Sequence, residues 1–110
     1  LVDYLKQFPQ ISRWHAIFAC MQDKDFKAMM ATLQPLVSTW HLLKLSEPRA
    51  ASQASLTACA KQLGIQRVTQ QETIAQALQA IQQTIKPNEG IVIFGSFLTI
   101  SQLPESVFML

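Results

Sequence analysis

Apolar residues recur along this chain in two patterns, short unbroken runs and spacings of three and four, and their alternation predicts strands and helices in turn. Leu1 to Phe8 puts Leu1, Leu5 and Phe8 on one helical face, and Pro9 ends it, which predicts the last turns of a helix. Arg13 to Cys20 (RWHAIFAC) is short, aromatic and apolar, as a buried strand is, and Asp23-Lys24-Asp25 follows as a polar turn. From Asp25 to Val37 the set Phe26, Met29, Met30, Leu33, Leu36 and Val37 predicts an amphipathic helix whose end is kinked by Pro35. Thr39 to Leu45 reads as a second strand, and Ser46-Glu47-Pro48-Arg49 as the loop leaving it. Ser52 is placed to cap a helix carrying Leu56, Cys59, Ala60 and Leu63, with Gly64 beyond its end. A short strand is predicted from Ile65 to Val68, and a helix from Gln70 to Ile85 with Ile74, Ala77, Leu78, Ile81 and Ile85 on one face. Gly90 to Phe94 is a third clear strand, and Ser96 opens a last helix that Pro104 breaks or bends. This order predicts an α/β fold with a mostly parallel sheet and helices on both faces.

The junction Ile91-Val-Ile-Phe-Gly-Ser-Phe97 is the most pointed local feature. Four apolar residues suit a strand buried on both sides, Gly95 allows a tight turn, and Ser96 is placed to cap the next helix. Such a helix start aims unpaired N–H groups at an anion, although many strand-Gly-Ser-helix junctions serve only as caps.

Composition narrows the functional classes. With 110 residues, 49% hydrophobic and 15% charged, the chain is a single apolar globular domain or a piece of one. No run approaches the length of a membrane span, and no signal peptide stands at the start. The net charge of +2 comes from nine dispersed Lys and Arg, without the basic stripe that nucleic-acid binding needs. Cys20 and Cys59 lie in apolar surroundings without metal-ligand spacing, so they read as buried thiols of a reducing compartment, with no disulfide and no metal site. So little charge in a small piece suggests that part of its surface faces another domain or chain.

The three glycines, Gly64, Gly90 and Gly95, cannot build a Gly-x-x-x-x-Gly-Lys-Ser/Thr or Gly-x-Gly-x-x-Gly phosphate loop. Nor is there a nucleophile elbow or a His-Glu-x-x-His zinc motif, so no catalytic residue is assigned. Ligands of open parallel sheets bind outside the carboxyl ends of the strands. Three predicted loops leave those ends, carrying Lys24 with Asp23 and Asp25, then Arg49, then Ser96. A lysine, an arginine and a capping serine at one edge suit an amino acid with two carboxylates, whereas each charge taken singly reads as a solvated loop residue. His15 and His41, beside Trp14 and Trp40 inside predicted strands, read as core or flanking positions, and Met21, Met29 and Met30 as core.

At these same residues the chain resembles the C-terminal domain of the bacterial dihydrofolate synthase/folylpolyglutamate synthase family, ATP-dependent amino-acid ligases of the Mur ligase type. The resemblance runs over nearly the whole chain. It is carried by Asp23-Lys24-Asp25, by Glu47-Pro48-Arg49-Ala50-Ala51, and by Phe94-Gly95-Ser96-Phe97 with Thr99, in that order and spacing. It implies a Rossmann-like domain that receives L-glutamate, with Lys24, Arg49 and Ser96 binding the amino acid. It also implies an N-terminal ATPase domain that uses ATP and Mg²⁺, a pteroate or folate substrate, and a cytoplasmic setting. This chain alone is expected to bind neither ATP nor Mg²⁺ and to be inactive.

The family's domain opens with a strand ending in Asp-x-Ala-His-Asn-Pro, which does not occur here, so the fold is expected to lack that first strand. An uncovered edge would make the piece less stable or prone to self-association. The alternative is a stand-alone α/β binding or regulatory module without catalysis. A receiver-type module would need an acidic cluster, for which only Asp23 and Asp25 are at hand in one loop.

Overall fold

The computed structural model describes residues 2–95 and 107–109. Five strands form one sheet in the order β3-β2-β1-β4-β5, and every pairing between them is parallel. They are β1 (Arg13–Ala19), β2 (Val37–Leu43), β3 (Val68–Gln71), β4 (Glu89–Gly95) and β5 (Val107–Met109). Four helices accompany them: α1 (Val2–Leu5), α2 (Phe26–Leu33), α3 (Gln53–Gln62) and α4 (Ile74–Gln82).

The apolar runs of β1 and β4 become strands because both of their faces are covered. On one face Trp14, Ala16 and Phe18 of β1 pack with Trp40 and Leu42 of β2, Val92 and Phe94 of β4, and the buried sides of α1, α2 and α3. On the other face Ile17, Ala19, Ile91 and Ile93 pack under Ala77 and Ile81 of α4. Helices thus lie on both faces, as the alternation predicts. An aromatic cluster centres the first layer: the Phe18 ring lies 4.6 Å from Phe94 and 6.2 Å from Trp40, and Trp40 reaches Phe94 at 5.8 Å. Contacts of this kind contribute about 0.5–1.5 kcal/mol each beyond area burial.

Several boundaries differ from the sequence expectation, each for a physical reason. The first helix covers only Val2–Leu5. The helix expected over 25–37 ends at Leu33 and tightens into a 3₁₀ turn at Gln34–Leu36, because Pro35 has no N–H to continue the α ladder; β2 accordingly starts at Val37. The short strand expected from Ile65 to Val68 is displaced to Val68–Gln71, so Gln70 and Gln71 belong to a strand and not to the start of the next helix. Their backbone pairs with β2, and α4 starts only where the Thr73 side chain caps the Gln76 N–H. Met21 lies half-buried in the loop after β1, not in the core, whereas Met30 is fully buried and Met29 packs against it. The expected last helix from Ser96, with Pro104, falls outside the described residues; beyond it, Val107–Met109 pairs with β4 as a strand. Among the described residues no helix is long and apolar enough to cross a membrane.

Candidate functional site

The strand order sets where a ligand can sit. From the central β1 the chain moves outward through β2 to β3, then crosses by α4 on the opposite face to β4, on the other side of β1. The direction of winding reverses between β1 and β4, and at such a point the loops part and leave a crevice beyond the carboxyl ends. The carboxyl end of β4 is Gly95, with a φ of +106°. It lies against Ala19 of β1, so closely that a Cβ at this position would run into the Ala19 carbonyl. Backbone conformation and space both demand glycine there.

The loops after β1 and β2 are stitched together at that edge. Met21 and Ala50 form an antiparallel bridge, the Gln22 N–H donates to the Arg49 carbonyl at 2.7 Å, and the Ala51 N–H donates to the Cys20 carbonyl at 2.8 Å. Asp25 closes the first loop by accepting from the Ala28 N–H at the start of α2 (3.1 Å). The second loop is anchored by Gln53, whose side-chain amide donates to the carbonyls of Leu42 (2.9 Å) and Gln71 (2.8 Å), and by Ser52, which caps α3.

This stitching brings Gln22, Asp23 and Arg49 around one surface hollow. Of the residues singled out in the sequence, Arg49 lines the hollow. Lys24 is exposed on the same loop as Asp23 but is not part of the lining, and Ser96 lies outside the described residues. Among the described residues neither Lys24 nor Arg49 takes part in an ion pair, so both cations face solvent. Sequence reading treats Asp23 as a turn residue and passes over Gln22; their place beside Arg49 follows from the Met21–Ala50 bridge, which has no local signature.

Other chemistry-bearing groups are arranged differently. Cys20 and Cys59 are buried thiols, and burial pushes the Cys59 thiol up, away from the reactive thiolate. Among the described residues no three of His, Cys, Asp and Glu stand together as metal ligands. His15 and His41 are buried in strands, as expected, but they are joined in a polar chain that the sequence reading does not contain. Burial, with His15 nearby, holds the His41 imidazole below its ordinary value against the opposing hydrogen bond of Gln71. The hydrogen bond from His15 holds the Glu89 carboxyl below its own.

Residues 1–97 match the family described as Mur ligase, glutamate ligase domain. The chain is 30% identical over 88 residues to the dihydrofolate synthase/folylpolyglutamate synthase of Buchnera aphidicola subsp. Schizaphis graminum, covering 80% of this chain and 20% of that protein. To the Escherichia coli protein of the same name it is 27% identical over 107 residues, covering 97% of this chain and 24% of the relative. The fold resembles that of the Helicobacter pylori folylpolyglutamate synthetase, with a TM-score of 0.62 and 21% identity over 86% of this chain and 21% of that one. It is similar as well to the Mycobacterium tuberculosis folylpolyglutamate synthase complexed with ADP, with a TM-score of 0.63 and 20% identity over 78% of this chain and 21% of that one. The chain therefore spans between a fifth and a quarter of the length of the two sequence relatives. Because the family match takes in residues 1–97 of the 110, the chain belongs to the Mur ligase family, as its glutamate ligase domain.

Proposed function

We propose that residues 1–110 are the glutamate-receiving domain of a parent enzyme that joins L-glutamate to dihydropteroate or folylpolyglutamate at the expense of ATP. The observation that carries this reading is the hollow at the carboxyl edge, which Arg49 and Asp23 both line, with Lys24 next in sequence. Glutamate has two carboxylates and one ammonium. Arg49 and Lys24 offer cations for the carboxylates and Asp23 an anion for the ammonium, and an Arg grips a carboxylate through two parallel hydrogen bonds.

In this reading Arg49, Lys24 and Ser96 hold the carboxylates, and Asp23 takes the ammonium until it gives up a proton to solvent. The freed amine attacks the carbonyl carbon of a pteroate or folate acyl phosphate. The C–N bond forms, the C–O bond to phosphate breaks, and inorganic phosphate leaves. The chain has no Gly-x-x-x-x-Gly-Lys-Ser/Thr sequence, so we assign ATP and Mg²⁺ to an N-terminal ATPase domain of the parent and the cytoplasm to the whole enzyme.

Arg49→Ala and Lys24→Ala in the parent enzyme test the reading. Each should raise the KM for glutamate by about 10- to 100-fold, the equivalent of about 1.5–3 kcal/mol for a charge-assisted hydrogen bond, while the KM for ATP stays unchanged. An unaltered glutamate KM in both variants would remove these loops from the site.

A further inference from the structure

The loop that leaves β1 is a tight turn. The Lys24 N–H donates to the Met21 carbonyl at 3.2 Å, which makes Gln22 and Asp23 the two central residues of a β-turn, and neither takes a positive φ. The turn is held from outside as well. The Gln22 N–H donates to the Arg49 carbonyl at 2.7 Å, and Met21 bridges to Ala50. The backbone of Gln22 is therefore set against that of Arg49, and the residue lines the hollow that Asp23 and Arg49 also line.

The backbone of Gln22 is engaged and its side chain is not. It is exposed, and among the described residues its amide takes part in no hydrogen bond. A turn without a positive φ accepts most residues, so neither the backbone nor the core calls for glutamine at this position. Asp23 and Arg49 are in the same condition, since they line the hollow without forming an ion pair among the described residues. The hollow thus presents a carboxylate that only accepts, a guanidinium that only donates, and an amide that does both.

On the reading of this hollow as a glutamate site, on which the inference rests, we propose that Gln22 is a specificity-determining residue whose amide donates to the γ-carboxylate of the incoming amino acid. Asp23 and Arg49, of opposite charge and not joined to each other, leave a place between them for the ammonium and a carboxylate of one molecule. Gln22 is next to Asp23 in sequence and tied by its backbone to Arg49, so it borders that place. Glutamate and glutamine are alike in length and shape and differ in charge only at the end of the side chain. An N–H donated to an ionised carboxylate makes a stronger bond than the same N–H donated to an amide oxygen. Gln22, itself neutral, therefore favours glutamate by contact, whereas Lys24 and Arg49 attract anions through a field that salt screens.

The test is the KM for L-glutamate and the inhibition constant of L-glutamine as its competitor, measured in the parent enzyme and its Gln22 variants. Gln22→Ala changes no charge and keeps the N–H that bonds to Arg49, and it should raise the glutamate KM by about 3- to 10-fold while weakening glutamine less. Gln22→Glu keeps the shape, loses the donor and adds a like charge. It should raise the glutamate KM by more than about 10-fold and shift the preference toward glutamine, whose amide donates to the new carboxylate. Equal changes for the two amino acids in Gln22→Ala, or none, overturn the assignment. So does a preference moved by Gln22→Glu but not by Gln22→Ala, which marks a change of field and not a contact. If Arg49→Ala raises the glutamate KM and Gln22→Ala does not, the loops still bind glutamate and Gln22 alone drops out; if neither does, the glutamate site falls with it.

Discussion

Gly95 and Ala19 lie side by side at the carboxyl ends of β4 and β1, with no room between them for a side-chain carbon. A Cβ at position 95 would meet the Ala19 carbonyl oxygen, stand 3.0 Å from its carbon and 3.1 Å from the Phe18 ring. Gly95→Ala therefore forces the two strands apart exactly where the crevice opens and adds the strain of a left-handed φ. Backbone strain of about 1–3 kcal/mol and overpacking of about 1–3 kcal/mol act together. Urea denaturation should show a loss of several kcal/mol, and an unchanged midpoint would mean that the strands are not in this contact.

Ala16 supplies a second prediction. It pairs with Trp40 on one side and Val92 on the other, and it is a small, fully buried side chain in the same core layer as the Trp40–Phe94 ring contact, with little space beyond its methyl group. Ala16→Leu would overfill that space and push the indole off its neighbours, at a cost of about 1–3 kcal/mol. Near-ultraviolet circular dichroism should lose intensity along with stability. An Ala16→Leu protein with wild-type stability and an unaltered aromatic spectrum would count against the cluster.

The fold was legible where burial on both faces writes itself into the sequence, and illegible where backbone pairing alone makes the element. β1 and β4 announce themselves as apolar runs, and α4 through Ile74, Ala77 and Ile81 at helical spacing. β3 does not, because Thr69, Gln70 and Gln71 are polar, the first two exposed and the third half-buried, and their strand character comes from the ladder to β2. The polar chain was equally hidden. Glu89 is 74 residues from His15, and only the strand order brings them together. Its one local trace is the alternation of Arg13 with His15 and of Thr39 with His41, which marks polar residues on a shared face of otherwise apolar strands. At the candidate site the loops could be found from strand ends, but the placing of Asp23 and Arg49 around one hollow depends on a bridge between two loops.

Gln53 is predicted to hold the second of those loops. Its amide donates to carbonyls on two different strands, Leu42 and Gln71, from the first turn of α3. Gln53→Ala removes both bonds and should cost about 1–2 kcal/mol. Gln53→Glu is the sharper variant, because a carboxylate of the same shape has no proton to donate. Both should increase amide exchange over residues 47–53, whereas protection equal to wild type in Gln53→Glu would show that the loop is held by other contacts.

Stability should fall in two separate steps as the solution is acidified. Burial, aided by His15, keeps His41 below the ordinary imidazole value, so the unfolded chain takes up that proton first. Below about pH 6.5 stability therefore begins to fall, and the loss continues until the folded His41 also titrates. Glu89 is depressed mainly by its hydrogen bond from His15, so its contribution is present above the ordinary glutamate value and is lost as pH falls through the lower folded value. Urea midpoints measured from about pH 8 down to about pH 3 should therefore drop once near neutrality and again in the carboxylate range. His41→Gln should flatten the first step and leave the second, and Glu89→Gln should flatten the second. A midpoint that rises between about pH 7 and about pH 5 would mean that the folded chain binds the proton more tightly than the unfolded one, the reverse of what a buried neutral His41 requires.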